Sequence, residues 1–115
     1  MQLSLPAVWT EASSRGYAVT QIARWLCAGP ARLAGLGRKK GSIAPGCDAD
    51  FVIWNPDERF RVDPAQLLHR HKITPYAGRE LKGTIATTFL RGRKIYERGE
   101  FLASPIGHIL LRGAA

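Results

Sequence analysis

The sequence predicts an α+β chain, with helices over residues 3–40 and a few short strands after them. Three observations predict this. Leu5, Val8, Trp9 and Ala12 fall at i, i+3, i+4 and i+7, one face of a helix. After Lys40 that period is lost, and Phe51-Val52-Ile53-Trp54 forms a continuous apolar run rich in β-branched and aromatic residues. Further on, Thr84–Leu90 and Lys94–Glu97 flank Arg91-Gly92-Arg93, the pattern of a hairpin.

The elements follow in order. Pro6 suits the first turn of the first helix and Gly16 its stop. Thr20 is the expected N-cap of a second helix, with Val19 as a staple residue and Ile22, Trp25 and Leu26 as its apolar stripe. Gly29-Pro30 is expected to break that helix. Pro30 then opens a third, carrying Ala31, Leu33, Ala34 and Leu36 and ended by Gly35 and Gly37. Residues 41–46 read as a short extended piece and a turn. Phe51–Trp54 is expected to be a strand buried on both faces, terminated by Asn55-Pro56-Asp57. Phe60-Arg61-Val62 reads as a short edge strand. Asp63 caps a brief helix running through Leu67 and Leu68. Residues 71–83 form a loop, and the tail from Phe101 is extended or loosely helical. Four short strands make a weak sheet alone. The cover for the apolar strand and three tryptophans comes either from the first 40 residues or from chain upstream of Met1.

Composition narrows the function. At 115 residues the chain is one small domain, 45% hydrophobic and 23% charged, a globular balance. No apolar run approaches the ~18 residues of a membrane span, and the N-terminus lacks the pattern of a secretory signal. Two cysteines, Cys27 and Cys47, make no disulfide framework, so a reducing, cytoplasmic setting is expected. The net charge of +8 raises nucleic-acid binding. However, segment by segment the excess is even, and Arg38-Lys39-Lys40 is the only basic triplet. A solvated surface, or balance by acids on chain not present here, is the favoured reading.

Residue by residue, no site assembles. His69-Arg70-His71 would chelate one ion from a strand. On the helical stretch expected here, i and i+2 point about 200° apart. Asp48 and Asp50 could serve acid–base or metal chemistry, but beside Gly46 their expected work is to bind turn N–H groups. Cys27 is expected to be an inert core thiol and Cys47 an exposed one. Ser13, Ser14 and Ser104 lack a nucleophile-elbow context, and Gly35-x-Gly37 follows no strand.

Three stretches together nevertheless resemble a known family. They are W-L-C-A-G-P-A-R-L-A-G-L (25–36), K-G-S-I-A-P-G-C-D-A-D-F-V-I-W (40–54), and H-K-I-T-P-Y-A-G-R-E-L-K-G (71–83) with the hairpin T-F-L-R-G-R (88–93). They are similar to the C-terminal end of the cyclic amidohydrolases, nearest the allantoinase branch and close to dihydroorotases and dihydropyrimidinases. The likeness covers about residues 3–112. The pattern G-x-I-x-x-G-x-D-A-D-x-V marks the superfamily, with Cys47 a small departure. The other two stretches narrow it toward the allantoinases.

The resemblance implies a (β/α)₈ barrel joined to a β-sandwich built from both chain ends. Residues 1–40 would be the last barrel helices, 41–98 part of the sandwich, and 99–115 a C-terminal tail. It implies ring-amide hydrolysis (allantoin and water to allantoate, in purine breakdown) by a hydroxide bridging two zinc ions. The family's ligands all lie upstream of the matched part, and His69-Arg70-His71 is not its His-x-His. No catalytic or metal-ligating residue is therefore expected in this chain, and no substrate-binding residue is assigned. The expected product is the C-terminal portion of a hydrolase, from a truncated or split reading frame, inactive alone. Two alternatives stand beside it: a non-catalytic β-domain that pairs with a separate barrel chain or with itself, and a basic nucleic-acid-binding domain.

Overall fold

A computed structural model describes residues 2–102 and 104–112. Helix α1 spans Ser4–Ser14 and α2 spans Val19–Ala23. A π-helical turn, Arg24–Ala28, leads directly into α3, Gly29–Leu33. Four strands follow: β1 Phe51–Arg61, β2 Glu80–Leu90, β3 Arg93–Glu97 and β4 Glu100–Phe101. They form one antiparallel meander in the order β1-β2-β3-β4.

The first helix behaves as its sequence predicts. Pro6 sits in the first turn, where its missing N–H costs nothing. Gly16, at φ +83°, closes the end, where Tyr17 N–H donates to Ala12 O and Gly16 N–H to Ser13 O. The expected Thr20 cap is not used. The cap position falls two residues earlier, at Ala18, and Gln21 reaches back to accept the Ala18 N–H at 2.8 Å.

Gly29-Pro30 does not break the chain's helical run. The widened turn before it absorbs the proline, whose ring and absent N–H would disrupt an ordinary α-turn. The run ends at Gly35, φ +76°, with Leu36 N–H donating to Ala31 O. Residues 41–46 form turns without a strand.

Strand β1 is longer than expected. Asn55-Pro56-Asp57 does not terminate it. The pairing Asn55↔Thr84 resumes at Arg59↔Lys82, so residues 56–58 bulge out and Pro56 sacrifices no ladder bond. Asn55 Oδ1 accepts from Asp57 N–H (2.9 Å) and Glu58 N–H (3.3 Å) to close the bulge. The β2–β3 turn has Arg91 at φ +49° and Gly92 at φ +78°, a type I′ hairpin. Arg98-Gly99 repeats that turn and adds β4, where the sequence predicted only a tail. The Asp63 cap is present, with Oδ1 accepting Ala65 N–H at 3.0 Å, but the 3₁₀ turn it starts ends at Gln66.

The core lies between the helical layer and the sheet. Trp9, Ala12 and Ile22 are buried, with Leu5, Val8 and Trp54 packed against them. Trp9 and Trp54 meet edge to face at 5.7 Å, and Trp9 Nε1 donates to Pro56 O at 2.8 Å. Thr10 Oγ1 accepts Lys82 N–H at 2.8 Å, fixing α1 along β2. At Gly83 (φ +107°) a Cβ would lie 3.0 Å from the Trp54 ring and 3.3 Å from Trp9, so glycine lets the strand pass beneath both indoles.

The first 40 residues cover only part of what needs cover. Val52 and Ile53 are exposed, so β1 is not buried on both faces. Trp25 and Leu26 are also exposed, leaving Ile22 as the only buried member of the expected α2 stripe. These are large apolar side chains on well-formed elements.

Candidate functional site

The Asp48-Ala49-Asp50 stretch forms the most connected polar cluster. Lys40, at the end of the helical layer, reaches across the glycine turn between the two carboxylates. Its Nζ lies 2.8 Å from Asp48 Oδ2 and also bonds Asp50 Oδ2. The second oxygen of Asp50 accepts the Arg91 N–H at 2.8 Å, and Ala49 O accepts the Gly92 N–H at 2.9 Å. One side chain thus ties the helical layer, the start of β1 and the β2–β3 turn together. Gly41 (φ +87°) permits this path: a Cβ there would sit 2.6 Å from the Ala31 methyl and 2.9 Å from Cys27 O.

The electrostatics fit a structural latch. Partial burial opposes the charge on Asp50, but the Lys40 ammonium and the Arg91 N–H outweigh it and hold the carboxyl below its usual range. Partial burial likewise opposes the Lys40 charge, and the two carboxylates overcome it and raise its pKa. Both carboxylates are engaged by the Lys40 ammonium. The open hollow beside them, about 300 Å³, is lined mainly by apolar groups of Ile43, Ala44, Pro45, Cys47 and Phe51. The expected structural role of Asp48 and Asp50 holds, with different partners: an ammonium and a distant strand turn rather than N–H groups of their own turn.

The other candidates do not converge. His69 and His71 lie in bends after the 3₁₀ turn, both exposed, so the helical geometry expected for them is absent. Among the described residues no three His, Cys, Asp or Glu side chains come together as a metal site. Cys27 is exposed in the π-helical turn rather than in a core, and Cys47 is half-buried. Ser13 and Ser14 hydroxyls donate to the carbonyls of Thr10 and Glu11 on their own helix. The loop between Val62 and Glu80 is pinned by Gly78 N–H to Val62 O and Val62 N–H to Arg79 O, each 2.9 Å. Lys40 stands in the sequence as part of a basic triplet and at the head of the family-like stretch 40–54, and neither reading gives it a role at the aspartates. The available signal was its position before a glycine-bounded turn leading to two aspartates.

Comparison with known proteins assigns this arrangement. Residues 3–95 match the amidohydrolase family. The chain belongs to that family. An allantoinase of Streptomyces avermitilis is 51% identical over 97% of this chain. A protein of Dictyostelium discoideum named probable allantoinase 2 is 45% identical over 87% of it. This chain spans only 25% and 20% of those two relatives. Among solved amidohydrolase structures, the L-hydantoinase of Arthrobacter aurescens superposes with a TM-score of 0.81 at 33% identity, over 87% of this chain and 22% of that one. The D-hydantoinase of a Thermus species gives 0.85 at 26% identity, over 96% and 24%. The match therefore covers about a quarter or less of each relative, and the Lys40–Asp48–Asp50 latch lies within the matched amidohydrolase span. Among the described residues no helix is long and apolar enough to cross a membrane.

Proposed function

We propose that this chain is the C-terminal quarter of an allantoinase-like, metal-dependent hydrolase and that it supplies scaffold rather than chemistry. In this reading residues 1–40 are the last helices of a (β/α)₈ barrel and 41–98 are part of the β-sandwich closed against it, with 99–115 as the tail. The whole enzyme, cytoplasmic, would open the ring of allantoin with water to give allantoate. The carrying observation is 51% identity to an allantoinase over nearly the whole chain but a quarter of the relative. The uncovered apolar surface supports it independently, because the remaining three-quarters would supply the missing cover.

A binuclear zinc centre does not fit the residues here. Its ligand set needs several converging imidazoles and carboxylates, and the two acids that do converge are already held by Lys40 and Arg91. No catalytic step is assigned to this chain. Its contribution is positional: Trp9 and the Lys40 latch fix the helical layer against the sheet. The test is an assay of the purified 115-residue chain for allantoin hydrolysis with added zinc. No turnover is expected, and turnover above the rate of zinc alone would overturn the reading. One observation favours a second reading, a non-catalytic domain that associates through its sheet: the half-exposed Val52 and Ile53 on edge strand β1. A dimer abolished by Ile53→Lys would support it.

A further inference from the structure

Past β4 the chain turns back on itself. Leu102 N–H donates to Ile95 O at 3.0 Å, a last rung beside β3. Residues 104–112 then run without regular structure. Burial does not hold this segment, since Ile109 is 88% and Leu111 69% exposed. Two contacts tie it down. Arg91 Nη2 donates to Ile106 O at 2.6 Å. The stem of Arg112 lies across Gly35, so close that a Cβ there would sit 3.1 Å from Arg112 Cγ. One anchor is thus on the β2–β3 turn and the other at the end of the helical run. The Lys40 latch joins the same two regions, and Arg91 takes part in both connections. Its N–H donates to Asp50 Oδ1 at 2.8 Å, while its guanidinium holds the tail. Arg91 also sits at φ +49°, a conformation that any residue with a Cβ resists. It keeps that conformation under contacts made at both its backbone and its side chain.

We propose that residues 104–112 form a C-terminal strap that keeps the Lys40 latch closed, acting through Arg91. With the strap seated, the β2–β3 turn is fixed both by its N–H bonds to Asp50 and Ala49 and by the tail. With the strap released, the two N–H bonds remain but open more often, because the strained turn has lost one of its constraints. The two anchors differ in kind. A guanidinium donating to a carbonyl is a charge-assisted bond, whereas the Arg112 contact is the packing of an aliphatic stem. The Arg91 anchor therefore carries the coupling to the latch, and Arg112 fixes where the strap lands on the helical layer. The inference concerns contacts within this chain and stands apart from the hydrolase reading.

Amide hydrogen exchange, resolved by residue with NMR, tests this on the 115-residue chain. Three variants are compared with it: a chain ending at Leu102, the full chain with Arg91→Met, and the shortened chain with Arg91→Met. Methionine keeps an unbranched apolar stem and the same backbone demand but removes the donor. Protection of the residue 91 and 92 amides should fall roughly fivefold to tenfold in each single variant. The Lys82 amide, which donates to Thr10 Oγ1 in the contact between α1 and β2, should change by less than about twofold. Because both changes cut one connection, the combined variant should lose no more than about twofold beyond either alone. Unchanged protection at Gly92 in either single variant, or losses that multiply in the combined one, would overturn the proposal. Equal losses at Lys82 and Gly92 would assign the tail to the stability of the whole fold and overturn the strap. A shortened chain or an Arg91→Met chain that does not fold would overturn it on the same ground. So would a full chain in which neither amide is protected.

Discussion

Replacing Trp9 with alanine should separate the helical layer from the sheet. The indole is 7% exposed and fills the space between α1, Ile22 and Trp54. Truncating a buried tryptophan costs ~3–5 kcal/mol in lost contacts and residual cavity. That figure includes the edge-to-face contact with Trp54 at 5.7 Å. Removing Nε1 also strands the Pro56 carbonyl in the bulge, at ~1 kcal/mol or more. A total of ~4–6 kcal/mol is a large share of the ~5–15 kcal/mol typical of a domain. Trp9→Phe retains most of the apolar contact and loses the hydrogen bond, so it should cost only ~1–2 kcal/mol. Urea unfolding followed by far-ultraviolet circular dichroism measures both. With a slope of ~1–3 kcal/mol/M, Trp9→Ala should move the midpoint by well over 1 M. A loss under ~1 kcal/mol for Trp9→Ala, or equal losses for the two variants, would refute the docking of α1 on β2 through this residue.

Other outcomes follow from the same geometry. Gly41→Ala should cost ~2–3 kcal/mol in the same titration, because the new methyl meets Ala31 and Cys27 O at a positive φ. A cost below ~0.5 kcal/mol would show that the turn is free to move. Stability should be flat near neutral pH and fall at both extremes. Asp50 has a depressed pKa, so its contribution is present above the usual carboxylate range and is lost as pH falls through its folded value. Lys40 has a raised pKa, so its contribution is complete below the usual ammonium range and is lost as pH rises through its folded value. Asp50→Asn should lower the plateau by ~1–2 kcal/mol and flatten the acid limb, and an unchanged acid limb would count against the latch. Zinc in tenfold excess should leave the thermal midpoint within about 1 °C, and a stabilisation removed by His69→Ala/His71→Ala would reveal a site the geometry lacks.

Local signals were readable where local chemistry decides the outcome. The α1 stripe, the Gly16 stop, the Asp63 cap and the Arg91-Gly92 turn each depend on residues within a few positions of one another. The bulge in β1 was not readable. Asn55-Pro56-Asp57 looks the same in a strand end and in a bulge, and the Trp9 indole bound to Pro56 O is 47 residues away. The latch was hidden for a similar reason, since Arg91 lies 41 residues from Asp50. Trp25, Leu26 and Cys27 were expected inside because their pattern is that of a covered helix face. Their exposure means that the helical layer described here does not cover that pattern. The family, by contrast, was legible, because the glycine spacing of residues 41–46 and the Asp48-Ala49-Asp50 pair are tied to one backbone path. Gly41 allows close passage over Ala31, and the aspartates hold Lys40.

The most direct measurement is allantoin hydrolysis by the Streptomyces avermitilis allantoinase carrying this chain in place of its own matching stretch. A scaffold-only role predicts kcat/KM within about tenfold of the parent enzyme, since no group at the reacting atoms has changed. A chimera that hydrolyses no allantoin would contradict the account.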